Sequence, residues 1–174
     1  MSTGRLQKQA VAIALNQAGK GKKKEETMKI KYTKVTPDVV RANRNFYKNH
    51  VKKAFIMWCA YEGLLDGVLT KNEVERAKKG CLPKDLNVHH KIPLSGTNEL
   101  FVNDFSNLTI IHKKTHEFIN KYVFAPQIRD LLDAPWGTEK IIEVPNYDYV
   151  DAEGIKEKRG LQEWHAKVRN VNER

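Results

Sequence analysis

Four of the six histidines fall between positions 89 and 116: His89, His90, His112 and His116. Imidazole titrates near neutrality, accepts a proton from water and ligates divalent metals. Hydrolysing a phosphodiester needs an activated water, a counter-charge for the developing negative charge, and help for the leaving oxygen. His90 is placed to take the proton from water. His89 and His116, with the amide oxygen of Asn120, make a neutral ligand set that leaves a cation's full charge for a phosphate oxygen. Mg²⁺ is the ion this set suits first, because it accepts carbonyl oxygen and keeps several waters. Mn²⁺, Ni²⁺ and Zn²⁺ also bind imidazole, so metal identity stays open.

These side chains must be positioned by short elements. Residues 86–92 alternate enough to form a strand, in which His89 and His90 point to opposite faces unless the strand bends or ends. Residues 94–106 are turn-rich and read as a loop. Residues 108–112 are a short apolar strand. Residues 113–124 carry Phe118 and Tyr122 at helical spacing, with Pro126 ending the helix, and put His116 and Asn120 on one face. The unit is strand, loop, strand, helix.

Around it the chain reads mostly as helix. Residues 5–18 look helical, with Gly19 as the stop, and 19–27 form a charged linker whose lysines at 22–24 are solvated. Thr36-Pro37-Asp38 starts a second helix, continued by Val39, Val40, Phe46, Val51, Phe55, Ile56, Trp58 and Cys59. Thr70-x-x-Glu73 fits a capping box for a short helix up to Gly80. A strand is expected at 140–144 and a charged helix at about 161–168. Trp58 and Trp136 are expected in the core, with Trp164 packing down the tail. The fold class is α+β, mostly helical. The expected division is 1–27, a helix and basic linker; 28–150, the domain holding the strand–helix unit at 85–124; and 151–174, a charged helix or tail.

Lys and Arg total 31 against 21 acids, for a net charge of +10. Such a field favours an anionic partner: nucleic acid, an anionic membrane surface or an acidic protein. Lys91, Lys113, Lys114, Lys121 and Arg129 flank the histidines, and Lys91, Lys113 and Lys114 are the expected phosphate contacts. His112 is assigned a substrate contact. Cys59 and Cys81 form no C-x-x-C pair, so a thiolate zinc site is excluded and both are expected reduced. No apolar run reaches the ~18–20 residues of a membrane span, and the N-terminus lacks the pattern of a secretory signal. His50 and His165 have no partner pattern around them.

The segments Val88-His89-His90-Lys91-Ile92-Pro93-Leu94-Ser95-Gly96-Thr97-Asn98, Asn103-Asp104-Phe105-Ser106-Asn107-Leu108 and His116-x-x-x-Asn120 together resemble the HNH (ββα-metal) nuclease motif. The resemblance implies that His89, His116 and Asn120 bind one divalent metal. It implies that His90 is the general base and that Asn107 holds the loop through backbone hydrogen bonds. Many members have a second histidine where this chain has Asn120, and zinc-stapled members carry cysteine pairs absent here. A further resemblance is to the HNH toxin domains of bacterial polymorphic toxins and secretion-system effectors. It rests on the helical run before Gly80-x-Leu82-Pro83 and on Ile141-Ile142-Glu143-Val144-Pro145. It implies action in the cytoplasm of a target cell after delivery as a secreted effector, and an acidic immunity or inhibitor protein as partner. A stand-alone nuclease fits the motif equally well. The expected activity is metal-dependent DNA cleavage with little sequence specificity. The alternatives are an RNA-cleaving nuclease and a non-catalytic nucleic-acid-binding module with a structural zinc on His89, His112 and His116.

Overall fold

The computed structural model describes residues 27–160. The expected helix at 5–18, the lysines at 22–24, and the tail helix with Trp164 and His165 lie outside the described residues. The architecture is α+β, with helices packed around two small antiparallel sheets.

Strand β1 (Thr27–Thr33) pairs with β4 (Glu139–Pro145), with Ile30 opposite Ile142. Strand β2 (Leu86–His90) pairs with β3 (Leu108–His112), with His89 opposite Thr109 and His90 opposite Leu108. Helix α1 (Pro37–Phe46) runs through a π-helical turn (Tyr47–Val51) into α2 (Lys52–Tyr61). Helix α3 (Lys71–Ala77) follows, opened by a complete capping box: Glu73 N–H donates to Thr70 Oγ1 and Thr70 N–H to Glu73 Oε1. It closes at Gly80, whose φ of 87° only glycine adopts cheaply.

Helix α4 (Lys113–Phe118) passes through a π-helical stretch (Ile119–Phe124) into α5 (Ala125–Ile128). Pro126 therefore does not end the helix, contrary to expectation. The hydrogen-bond register changes at Ala125, so proline falls in the first turn of a new segment, where a missing N–H is tolerated. A final helix, α6, covers 152–160, where the described residues end.

The β2–β3 hairpin is sandwiched between two cores. On one side Leu86, Val88, Leu108 and Ile110 pack against Val51, Phe55, Ile56 and Cys59. On the other, Ile111 meets Ile119, Val123 and Phe124, with Ile30, Ile142 and Val144 from the second sheet. Each such fully buried aliphatic or aromatic side chain contributes about 1.5–3 kcal/mol. The chain after β4 returns along the free side of β3, where Ile110 N–H donates to Tyr149 O and Asp151 N–H to Ile110 O.

Beyond residue 150, Ile155 is fully buried in the first core. One expectation is corrected here. Trp136 is not core: it is 58% exposed, with the Lys34 ammonium 4.7 Å from its ring centre. Trp58 does pack against the first core, and Cys59 is buried there, its thiol pushed up to about 12 by burial. Among the described residues, no helix is long and apolar enough to cross a membrane.

Candidate functional site

The pleat of β2 sends His89 and His90 to opposite faces of the hairpin. His89 turns to the second core. Its ring stacks on Phe124 at 5.8 Å and stands edge-on to Tyr147 at 6.4 Å and to His116 at 5.2 Å. It is 1% exposed, and its Nε2 is buried without a hydrogen-bond partner. Leaving such an atom unmet costs about 1–3 kcal/mol. Burial holds its proton affinity far below the usual histidine value, and charge on His116 and His90 lowers it further. Burial thus favours the neutral ring.

His116 arrives from α4, one turn into the helix that packs across the hairpin. The side-chain amide of Asn87 lies 3.2 Å from its Nδ1. Asn87 shares a strand face with His89 by i,i+2 alternation. The amide nitrogen is the atom that faces the ring, so Asn87 Nδ2 donates to Nδ1 and orients the imidazole, whose neutral form then carries its proton on Nε2. Asn120 lies four residues further on, in the π-helical stretch, with its side chain exposed.

His90 faces the first core. Its Nε2 lies 3.0 Å from Asn103 Oδ1. A carbonyl oxygen only accepts, so Nε2 carries the proton and Nδ1 keeps the lone pair. Asn103 is anchored by donating from Nδ2 to Asn43 O at 3.1 Å. Tyr47 packs edge-on to the imidazole at 4.6 Å. The π-helical turn between α1 and α2 thus walls His90 in. Burial pushes His90 down to about 4, partly offset by the Asn103 hydrogen bond and reinforced by charge on His116. His116 therefore bears electrostatically on both neighbours.

Asn107 ties the loop between the strands. Its Oδ1 accepts from Ile92 N–H at 2.9 Å, and its Nδ2 donates to Ile92 O at 3.0 Å and Val102 O at 2.8 Å. Asn107 O also accepts from Lys91 N–H. The backbone just after His90 and just before Asn103 is thereby held to one side chain. Tyr32 adds a second clamp: its ring lies where a Cβ on Gly96 would be, 2.5 Å away, and its hydroxyl donates to Ser95 Oγ at 3.1 Å.

His112 sits apart. By register it shares the face of Leu86 rather than that of His89. It caps α4, with Nδ1 accepting from Lys114 N–H at 3.1 Å, and its Nε2 faces Asp85 at 3.6 Å. It lines a basic cavity with Lys113 and Lys114. Lys91 is half-buried elsewhere, and burial lowers its proton affinity against the pull of Asp148. Lys121 and Arg129 lie further along, in the π-helical stretch and the turn after α5.

The structure thus joins His89, His116 and Asn87 in one group, and His90, Asn103 and Tyr47 in another. It does not join His112 to His89 and His116. Among the described residues no three His, Cys, Asp or Glu side chains are arranged to hold a metal. The expected third donor, Asn120, is an amide. The sequence motif assigns no role to Asn87 or Asn103. Strand alternation points to Asn87, whereas nothing in the spacing points to Asn103. The chain matches no known family, curated protein or solved structure.

Proposed function

We propose that the protein is a metal-dependent endonuclease of the HNH (ββα-metal) type that hydrolyses DNA phosphodiesters with little sequence specificity. The observation that carries this is the unpartnered, buried Nε2 of His89 on a ring packed 5.2 Å from that of His116, on a strand whose next residue is a histidine with its tautomer fixed. An orphaned buried nitrogen beside a second imidazole fits a cation.

His89, His116 and Asn120 would hold the metal, which when bound would supply charge for a non-bridging phosphate oxygen and the leaving oxygen. Asn103 keeps the Nε2 proton on His90, so Nδ1 is the atom that takes the proton from water. The neighbouring phosphate's negative charge raises the proton affinity of His90 from its buried value toward the working range. Asn107 fixes the loop that carries Asn103, so the base keeps its aim. Tyr47 excludes water from the far side of the ring. The surplus of lysine and arginine supplies affinity without reading bases.

Supercoiled plasmid incubated with the protein is nicked or linearised with Mg²⁺ or Mn²⁺ and spared with chelator. Intact plasmid under every divalent ion tried refutes the proposal. RNA digested alongside at equal or greater rate reassigns the substrate. By the toxin resemblance an acidic protein restrains the enzyme; co-expression with the neighbouring reading frame then relieves toxicity.

A further inference from the structure

The start of α4 opens into a cavity of about 310 Å³ lined by Lys84, Asp85, His112, Lys113, Lys114 and Lys158. Its lysines come from three places: Lys84 precedes β2, Lys113 and Lys114 open α4, and Lys158 projects from α6. All four are exposed at the rim, and none is ion-paired among the described residues.

The carboxylate in the wall is already satisfied. Arg159 donates to both oxygens of Asp85, at 2.8 Å each, and to both oxygens of Glu73, at 2.9 Å each. One guanidinium against two carboxylates leaves one net negative charge, so four lysines outweigh it by three. The Lys113 and Lys114 amides are also committed, to Asp85 O and to His112 Nδ1. An anion in the cavity is therefore held by ammonium groups, which bind as mobile point charges and suit a phosphate without demanding one orientation.

We infer that this cavity, at the Leu86–His112 end of the hairpin and four strand residues from His90, is an anion subsite that takes a backbone phosphate of the same nucleic-acid strand that is attacked at His90. The helix that begins at the cavity carries His116 three residues on, at about 1.5 Å rise per residue. One strand lying along α4 would thus meet both places. The polymer's identity rests on the nuclease reading; the preference for an anion does not. A concave site walled by three elements suits a compact tetrahedral group better than the broad surface of an acidic protein.

The test uses His90→Ala protein, which binds without cutting, titrated with a short labelled DNA duplex over a salt series. Lys84→Ala with Lys158→Ala in that background should weaken binding. It should also make log K against log salt shallower by about 0.9, the value for one phosphate no longer neutralised. Lys158→Glu should weaken binding further, while far-UV circular dichroism stays unchanged. Equal affinity and slope, with the wild type still cutting plasmid, overturn the subsite and leave the nuclease reading standing. Failure of the wild type both to bind and to cut overturns the two together. Displacement of the duplex by polyglutamate more readily than by unlabelled DNA of equal charge overturns the subsite in favour of an acidic protein partner.

Discussion

The ring of His89 stands at 71° to that of His116 with centroids 5.2 Å apart, and the facing interior gives His89 Nε2 no hydrogen-bond partner. Asn87 supports this pair from the same strand face. Outer partners of metal-bound imidazoles hold the ring in its ligating orientation. Asn87→Ala is expected to weaken Mn²⁺ binding by about 10–100-fold, with the folded state retained. Calorimetric titration measures it; an unchanged affinity removes Asn87 from the account.

Asn107 makes three side-chain hydrogen bonds to backbone atoms of Ile92 and Val102. At about 1 kcal/mol each, with the cost of stranded partners added, Asn107→Ala should destabilise by about 3–5 kcal/mol. Asn107→Asp sets a buried carboxylate oxygen against the Ile92 and Val102 carbonyls, so it should destabilise at least as much. Urea unfolding of the metal-free protein reads both values.

Burial lowers the proton affinity of His89, His90, His112 and His116. The folded protein keeps these rings neutral where the unfolded chain protonates them, near 6.5. Above that value neither state binds the protons and stability is at its plateau. As pH falls below it the unfolded state gains protons that the fold refuses, and stability drops until about 4, where His90 itself titrates. Each such histidine removes up to about 1.4 kcal/mol per pH unit in that window. Urea midpoints in chelator should therefore fall steadily from neutral pH into the acid window. A flat profile contradicts the buried, neutral rings.

Arg159 links α6 to α3 and to the residue before β2 through two bidentate ion pairs. It holds the Glu73 and Asp85 carboxyls below the usual carboxylate range through its hydrogen bonds. Lysine cannot reproduce either fork. Arg159→Lys should cost about 2 kcal/mol and lower the thermal midpoint, since charge-assisted bonds of this kind contribute about 1.5–3 kcal/mol. A midpoint unchanged by Arg159→Lys would show that the forks add nothing to the fold.

Local periodicity makes the hairpin and its following helix legible, because alternation at 86–90 and the apolar run at 108–112 are written into consecutive residues. The capping box at Thr70 is legible for the same reason. Strand β1 is not, because its partner β4 lies far along the chain and its own short alternation resembles a linker edge. Asn103 is invisible in the sequence as the partner of His90, because three short helical turns between the strands decide where it points. For Trp136, size alone suggests burial, while a turn at Gly137 and the Lys34 cation settle it at the surface. Residue type alone suggests a substrate contact for His112, and its backbone-capping role follows from its place at a strand–helix junction.

In the proposed reaction His90 removes a proton from water while its neighbours hold a metal. The direct measurement is the plasmid cleavage rate of His90→Ala beside its Mn²⁺ affinity, determined on the same preparation. With His90 as the base, the rate falls by about 10²–10⁴-fold, the usual contribution of a positioned general base, with metal affinity nearly unchanged. Cleavage at the wild-type rate, or a loss of metal binding equal to the loss of rate, would contradict it.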